Sequence, residues 1–185
     1  MRKLNVFNSV SLDGYFTGEN GDLSWAHANA DDAEWNEFVS GNASGGGALL
    51  MGRVTHDMMA SFWPTPAAME MMPDVARGMN EMPKFVFSRT LDRSSWSNTT
   101  LLKGDVAAEV RQLKDGPHDI TILGSGSIVA QLADTDLVDT WQFVVVPVYL
   151  GKGRTMFEGV RAPHTLKLAS SRAFGNGRVV LNYGR

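Results

Sequence analysis

A glycine-rich turn after an apolar run is the part of the sequence best suited to chemistry. Residues 120–123 form an apolar strand pattern, and the turn that follows consists of Gly124, Ser125, Gly126, Ser127 and Ile128. Glycine lets a backbone approach an anion closely, and a helix N-terminus offers free N–H groups with a partial positive charge. The pattern therefore predicts a phosphate-binding turn. A plain strand-to-helix turn would explain the same glycines. The spacing is not a Rossmann fingerprint, because Val129 fills the third glycine position.

Two other strand ends carry residues that bind anions. Strand 48–51 leads into Gly52, Arg53, Val54 and Thr55, and strand 84–87 leads into Ser88, Arg89 and Thr90. Guanidinium groups bind phosphate oxygens with a planar fork, and hydroxyl groups donate to oxyanions. The alternatives are a capped helix with a surface arginine at the first turn and an ordinary polar turn at the second.

The three turns together are more informative than any one of them. Ligands of open α/β sheets gather at the carboxyl ends of parallel strands, so three such turns predict a dinucleotide site. Arg53 and Arg89 supply charge beyond a pyrophosphate site. This excess favours a phosphate on the adenosine ribose, and NADPH is the predicted cofactor.

Candidates for the reacting centre lie elsewhere in the chain. Asp13 follows the first strand directly, and hydride transfer to a C=N or C=O group usually needs a proton source. The alternative is an Asp-Gly turn whose carboxylate only binds backbone N–H groups. Flat heteroaromatic substrates stack on aromatic side chains, for which the candidates are Tyr15, Trp25, Phe62 and Trp63. Core or dimer contacts are the alternative for these four residues.

The elements that must position these residues alternate along the chain. Strands are predicted from Leu4, Ala48, Lys84, Thr99, Ile120 and Trp141, with a final hairpin of 166–174 and 178–183 joined through Gly175-Asn176-Gly177. Helices are predicted at 31–39 and 106–113, and near Val54 and Ser127. The glycine-rich stretch 41–47 predicts a connection. This order favours an α/β sandwich with a mainly parallel central sheet and an antiparallel C-terminal edge.

Composition limits the class of protein. The chain has 185 residues, 43% of them hydrophobic, which predicts one domain spanning 1–185. The absence of cysteine excludes disulfides and thiolate chemistry, and four histidines far apart in sequence predict no metal site. A net charge of −3 provides no basic excess for nucleic acid. Apolar runs are far shorter than the roughly 20 residues that span a bilayer, so we expect a cytoplasmic protein without membrane contact.

Five ordered motifs carry a resemblance to a known family. They are Ser11-Leu12-Asp13-Gly14-Tyr15, Met51-Gly52-Arg53-Val54-Thr55, Phe87-Ser88-Arg89-Thr90-Leu91, Gly124-Ser125-Gly126-Ser127 and Pro147-Val148-Tyr149-Leu150-Gly151-Lys152-Gly153. The chain resembles the dihydrofolate reductase-like superfamily. More narrowly, it resembles stand-alone relatives of the C-terminal reductase domain of bifunctional riboflavin biosynthesis proteins.

The resemblance implies a three-layer sandwich, with a mixed, mainly parallel sheet between helices. It also implies NADPH lying across the carboxyl edge of that sheet, and a homodimer. Carried over by motif, Gly52, Arg53 and Thr55 would contact phosphates, and Ser88 and Arg89 the ribose phosphate. Residues 124–128 would hold the pyrophosphate, and the segment from Val10 to Asp13 would lie beside the nicotinamide.

The function expected from these observations is NADPH-dependent reduction of a small heteroaromatic substrate, either pterin-like or an aminopyrimidine sugar phosphate of the riboflavin-precursor type. A nucleotide-binding homodimer without turnover, serving a regulatory role, is the alternative. A ligand-free structural dimer is the third possibility.

Overall fold

The computed structural model describes residues 1–28 and 31–185, whose strands form one eight-stranded sheet of order β4-β3-β2-β5-β1-β6-β8-β7. The strands are β1 (Leu4–Ser11), β2 (Ala48–Gly52), β3 (Lys84–Phe87), β4 (Thr99–Leu102), β5 (Ile120–Leu123), β6 (Thr140–Val146), β7 (Lys167–Ala173) and β8 (Val179–Gly184). Strands β1 to β6 run parallel, whereas β8 is antiparallel to both of its neighbours. The predicted mainly parallel sheet with an antiparallel edge is confirmed.

Six α-helices connect the strands within the described residues. They are α1 (Ala33–Ser44), α2 (Arg53–Ala60), α3 (Pro66–Met71), α4 (Pro73–Glu81), α5 (Val106–Lys114) and α6 (Gly126–Ala133). Two short 3₁₀ turns, at Glu19–Gly21 and Ser24–Ala26, lie between β1 and α1. None of the helices in the described ranges is long and apolar enough to cross a membrane.

Apolar side chains alternate between the two faces of the sheet and build a core on each face. Helices α5 and α6 cover one face, where Val110 and Val129 pack with Val6 and Ile122. The opposite face is covered by α1 and α4. Its two clusters are formed by Ala43, Leu49, Met51, Val75, Met79 and Val86, and by Trp25, Trp35, Val144, Val146, Phe174 and Val180, among others. The result is the predicted three-layer sandwich.

The structure differs from the sequence prediction in two places. Helix α1 continues to Ser44, so the glycine-rich connection is shorter than the stretch 41–47 suggests. Helices α3 and α4 were not predicted, although Pro66 and Pro73 lie in their first turns. Proline is tolerated there because the first N–H groups of a helix have no intrahelical partner.

A buried lysine joins α4 to the sheet. Lys84, the first residue of β3, is fully buried, and its Nζ atom donates to the carbonyl oxygens of Met79 at 2.8 Å, Asn80 at 3.1 Å and Met82 at 2.7 Å. The ammonium lies 4.5 Å from the ring centroid of Trp96. Burial lowers the pKa of Lys84 to about 8. The side chain therefore satisfies the carbonyl groups that the end of a helix leaves without partners.

We predict that Lys84→Met destabilises the protein by about 2–4 kcal/mol, because the buried bonds from Nζ to the carbonyl oxygens of Met79 and Met82 are lost. Urea unfolding at neutral pH measures the change. The control is Lys103→Met, since this lysine is exposed and pairs with Asp92 at 3.3 Å; it should cost less than about 0.5 kcal/mol. Equal unfolding midpoints for the two variants would contradict the role of Lys84.

Candidate functional site

The carboxyl ends of β2 and β5 lie side by side and lead to opposite faces of the sheet. Strands β2 and β5 are parallel neighbours. The helix after β2, α2, packs with the cluster that contains Met51, whereas α6, after β5, packs on the other face with Ile122. Such a point opens a crevice between the two connections, which is where open α/β sheets bind ligands.

The two glycine-containing turns meet in this crevice. The Gly52 backbone N–H donates to Ser125 Oγ at 2.5 Å, and Thr55 Oγ1 lies 3.1 Å from the same oxygen. A Cβ atom on Gly52 would lie only 2.8 Å from Ser125 Oγ, so glycine is required for this approach. We call the group formed by Gly52, Thr55, Gly124 and Ser125 the cradle. Two turns that the sequence predicts separately thus form one site.

The cradle contains a non-glycine residue with a strained backbone. Gly124 and Ser125 have φ values of 61° and 62°, and Ser125 is left-handed although it has a side chain. A non-glycine residue in this region costs roughly 1–3 kcal/mol and persists where its surroundings hold it. The hydroxyl contacts to Gly52 and Thr55 supply that restraint. Strain of this kind is typical of functional sites.

The helices that begin at the cradle have open N-termini. Asp32, Thr65 and Asp105 cap α1, α3 and α5 through hydrogen bonds from backbone N–H groups. Among the described residues, no side chain caps α2 or α6. Helix α4 also lacks such a cap, but it begins with a proline, which has no N–H to satisfy. The first-turn N–H groups of α2 and α6 therefore remain suited to binding an anion.

The third predicted turn, at residues 88–90, lies at the same edge of the sheet, but one of its side chains is engaged in hydrogen bonds within the turn. Gly52 pairs with Phe87, so Arg53 and Ser88 both follow directly after neighbouring strand ends. Ser88 is buried, and its hydroxyl oxygen accepts from the N–H groups of Thr90 at 3.2 Å and Leu91 at 2.8 Å. This residue therefore shapes the turn.

The two arginines of the site differ in their surroundings. Arg89 and Thr90 are exposed. Arg89 has no ion pair or side-chain hydrogen bond within the part of the chain that the structure describes. Arg53 is half-exposed, and its Nη1 atom pairs with Asp57 at 2.9 Å.

Asp13 holds a distant loop in place. Its carboxylate accepts from Ser11 Oγ at 2.6 Å and from the backbone N–H groups of Leu150 and Gly151 at 3.0 and 2.7 Å. These donors, Ser11 first, hold the pKa of Asp13 below its ordinary value. An ionised carboxylate has no proton to give at neutral pH. The catalytic role of Asp13 stays a prediction, and its contacts favour positioning.

The loop held by Asp13 crosses the end of β1 beside the cradle. We call residues 148–156 the strap. The strap residue Arg154 forms a bridge with the segment after β1, in which Phe16 N donates to Arg154 O at 2.8 Å and Arg154 N donates to Thr17 O at 3.0 Å. Lys152 pairs with Glu19 at 2.8 Å. The strap is therefore attached at several points to the segment that follows β1.

Phe16 is a site residue that sequence reasoning missed. A Cβ atom on Gly126 would lie 3.2 Å from the Phe16 ring, and one on Gly124 would lie 3.8 Å from it. The ring thus packs against the turn before α6. Its place next to Tyr15 was a usable signal, but the pairing with a turn more than a hundred residues away has no local signature.

The four aromatic substrate candidates are not brought together. Tyr15 is half-buried at the carboxyl edge, with its hydroxyl 3.4 Å from Gly151 O. Trp25 is buried against Val144 and Val146, which favours the alternative of a core contact, and its substrate role stays a prediction. Phe62 and Trp63 contact each other with ring centroids 5.1 Å apart. Both residues lie after the C-terminal end of α2, whereas the cradle lies at its N-terminal end, and the eight residues of this helix span about 12 Å. Their substrate role stays a prediction.

The remaining predicted cofactor residues have varied environments. Val10 is half-buried at the end of β1 and pairs with Val145. Ile128 is buried in the core, whereas Val54 is 72% exposed on α2. Gly126 and Ser127 line a cavity of about 610 Å³ between α6, the start of α5 and the strap. This volume lies within the range of ligand sites.

No cluster of three or more His, Asp or Glu side chains suited to a metal occurs in residues 1–28 and 31–185.

Comparison with known proteins agrees with this architecture. The family described as the RibD C-terminal domain matches residues 2–180. The chain belongs to the RibD C-terminal domain family. It is 26% identical over 183 residues to the uncharacterized protein YyaP of Bacillus subtilis, and the match covers 98% of this chain and 94% of YyaP.

Solved structures of RibD-like proteins share the fold. A putative riboflavin biosynthesis protein from Shewanella sp. PV-4 superposes with a TM-score of 0.73 at 23% identity, over 99% of this chain and 98% of that one. A diaminohydroxyphosphoribosylaminopyrimidine deaminase/5-amino-6-(5-phosphoribosylamino)uracil reductase from Thermotoga maritima gives 0.68 at 14% identity, over 99% of this chain and 56% of that longer one. The predicted dihydrofolate reductase-like fold and the predicted relation to the C-terminal domain of bifunctional riboflavin biosynthesis proteins are thereby confirmed.

We predict that Asp13→Ala accelerates hydrogen exchange at the amides of Leu150 and Gly151 several-fold, because both lose their acceptor. The folded-state pKa of Asp13 lies below the ordinary 3.8. Protection by the carboxylate should therefore be complete above that value and be lost as the pH falls through the folded-state pKa. Exchange measured by mass spectrometry or NMR provides the test.

The matched control is Asp22→Ala. Asp22 also has a lowered pKa, but its donors are the N–H and hydroxyl of nearby Ser24. This variant should leave exchange at Leu150 and Gly151 unchanged. Unchanged exchange at these two amides in Asp13→Ala would show that Asp13 does not hold the strap.

Proposed function

We propose that this protein is an NADPH-dependent reductase of a small heteroaromatic substrate. The observation that carries the proposal is the meeting of the open N-termini of α2 and α6 in the crevice between β2 and β5. Membership of the RibD C-terminal domain family supports a reductase of this fold. An anion bound between two helix N-termini gains from both sets of N–H groups and both helix dipoles.

The donor set of the cradle fits the phosphates of NADPH. Backbone N–H groups of the first turns of α2 and α6 would bind the pyrophosphate, together with the hydroxyl groups of Thr55 and Ser125. Arg53 and Arg89 follow neighbouring strand ends and add positive charge at the same edge. Arg89 is the residue proposed for the ribose phosphate, because its side chain is exposed and a guanidinium can donate two parallel hydrogen bonds to phosphate oxygens.

In the proposed reaction, the protein positions the cofactor and the substrate and excludes water from them. NADPH would supply the hydride. We place the nicotinamide beside Val10, since β1 continues past the end of its neighbour β5 and its carboxyl end contacts the strap, where Leu12 N donates to Val148 O at 2.7 Å. Asp13 and Tyr15 hold the strap at Leu150 and Gly151. A fixed strap keeps the reacting atoms aligned and shielded from solvent.

The substrate class rests on the relatives and on the aromatic residues at the site. The Thermotoga maritima relative is described as a reductase of an aminopyrimidine that bears a phosphoribosyl group. An aminopyrimidine or pterin ring would stack on Tyr15, with Phe62 and Trp63 as further candidates. NADPH oxidation with a panel of such heterocycles tests turnover. Binding of NADPH without oxidation by any of them would favour the alternative, a nucleotide-binding protein without turnover.

We predict that Arg89→Ala weakens NADPH binding by about 10- to 100-fold and NADH binding by less than about twofold, because a hydrogen bond to a charged group contributes about 1.5–3 kcal/mol. Calorimetric titration with each nucleotide at fixed ionic strength measures both affinities. Arg93→Ala is the control, since Arg93 is an exposed arginine of the same loop with no proposed ligand. Equal losses for both nucleotides would remove Arg89 from the ribose phosphate.

We also propose that the protein forms a homodimer through the open part of its sheet. On the α5 and α6 face, Phe143 pairs with Leu181 and Val145 pairs with Val179, and all four are partly exposed. Every residue of the edge strand β7 is exposed, including Leu168 on the same face. An apolar sheet face of this kind suits a self-complementary interface between two copies.

The edge of β7 is less suited to pairing with another strand than its face is to packing. A register irregularity interrupts β7 between Leu168 and Ser170, and Lys167 and Arg172 add charge. Bulges and charges are typical of sheet edges that avoid strand addition.

We predict that Leu168→Lys converts the dimer to a monomer at micromolar concentration, because the charge would be buried at the interface. Light scattering coupled to size-exclusion chromatography gives the mass. The control is Met71→Lys on α3, where the methionine is 71% exposed but lies outside this face. A wild-type protein with the mass of one chain would contradict the dimer.

A further inference from the structure

A chain of hydrogen-bonded side chains leads from the predicted phosphate residue Arg53 into the protein. Arg53 Nη1 lies 2.9 Å from Asp57 Oδ2, and Asp57 Oδ1 lies 2.9 Å from His56 Nδ1. His56 Nε2 lies 2.8 Å from Ser94 Oγ. His56 is 3% exposed, so its ring is fixed by its surroundings while the Asp57 carboxylate reaches the surface.

The direction of these hydrogen bonds follows from the groups involved. The carboxylate of Asp57 only accepts, so both His56 Nδ1–H and Arg53 N–H donate to it. On its other side, His56 is bonded to Ser94, whose oxygen also accepts from the Trp96 N–H at 3.0 Å. Trp96 is itself buried, and its indole N–H donates to Asn80 at 2.7 Å. The network thus connects Arg53 to a rigid part of the core.

The arrangement contains the residue types of a hydrolytic triad but is built for support. A nucleophilic serine needs an open approach to its oxygen and nearby donors for an oxyanion. Ser94 Oγ instead holds the Trp96 backbone, and its hydroxyl lies 3.3 Å from the Trp96 carbonyl oxygen. The acid of the triad, Asp57, is shared with Arg53.

We propose that His56 is a positioning residue for cofactor binding, which holds Asp57 so that this carboxylate restrains the Arg53 guanidinium along the first turn of α2, the helix that begins at the cradle. The inference rests on the proposed function, in which Arg53 binds a phosphate of NADPH. One of the five guanidinium N–H groups is enough to hold the side chain, and the others remain free for phosphate oxygens.

The proposed gain in NADPH affinity comes from preorganisation of the Arg53 side chain. An unrestrained arginine loses rotamer freedom when it binds a ligand, at about 0.5–1.5 kcal/mol per side chain. An exposed Arg–Asp pair alone restrains the side chain weakly, since such pairs contribute about 0.3–0.5 kcal/mol within a helix. A carboxylate that is itself bonded to a buried histidine restrains the arginine better, because Asp57 then has less side-chain freedom to lose.

Two amide substitutions distinguish the hydrogen bond of His56 to Asp57 from its hydrogen bond to Ser94. The Asn side-chain amide stands where His Nδ1 stands, so His56→Asn keeps a donor to Asp57 and loses Ser94. The longer Gln side chain places its amide near Nε2, so His56→Gln keeps a partner for Ser94 and loses the donor to Asp57. Urea unfolding of both variants reports the shared cost of removing the ring.

We expect His56→Gln to weaken NADPH binding by about 3- to 10-fold and His56→Asn by less than about twofold. The same His56→Gln change in an Arg53→Ala background should have no further effect, because the two residues act through one contact. Calorimetry gives the four affinities of this double-mutant cycle. A purely structural role predicts equal losses in both backgrounds, and that result would overturn the proposal. Tighter binding by His56→Gln would also overturn it, by showing that Asp57 competes with phosphate.

A measurement without cofactor keeps this inference separate from the proposed function. In NMR spectra of the free protein, the Arg53 guanidinium protons should give resolved, slowly exchanging signals in the wild type and in His56→Asn, and averaged signals in His56→Gln. Failure of the wild type to bind NADPH would reject the proposed function. Identical Arg53 signals in all three proteins would reject the positioning role of His56.

Discussion

The hydrogen bond from the Gly52 N–H to Ser125 Oγ is the contact on which the site depends. It ties the turn after β2 to the turn after β5, at the point where the following helices part to opposite faces of the sheet. The contact requires a glycine at one side and a left-handed serine at the other. Without it, the turns that open α2 and α6 would be joined only by the β2–β5 pairing and the contact between Thr55 and Ser125. Neither helix N-terminus alone would enclose a pyrophosphate.

Residues that follow β1 also contact the cradle and the strap. Phe16 packs on the turn before α6, and the neighbouring residues pair with the strap. Asp13 holds the strap through two backbone N–H groups, so an acid that looks catalytic in the sequence is used to position a loop. On the other side, His56 and Asp57 extend the support to Arg53. The groups proposed to bind phosphate are therefore mostly backbone N–H groups, and the surrounding side chains hold the turns that carry them.

Much of the fold could be predicted from local patterns, and much of the site's support could not. Alternating apolar residues located the strands, and Gly175-Asn176-Gly177 located the hairpin, because short-range sterics determine both. Helices α3 and α4 were missed because a proline indicates a break as readily as a first turn. The burial of Trp25 and the packing of Phe16 depend on residues distant in sequence, and an aromatic side chain gives the same local signal in a core as at a binding surface.

An amide-resolved NMR titration of the isotopically labelled protein with NADPH tests the central claim most directly. We expect saturable binding, with the largest shifts at the N–H groups of Arg53, Val54 and Thr55 in α2 and of Gly126 and Ser127 in α6. These groups open both helices at the cradle and have no side-chain caps among the described residues. Saturation with these amides unmoved, or no saturation at all, would contradict it.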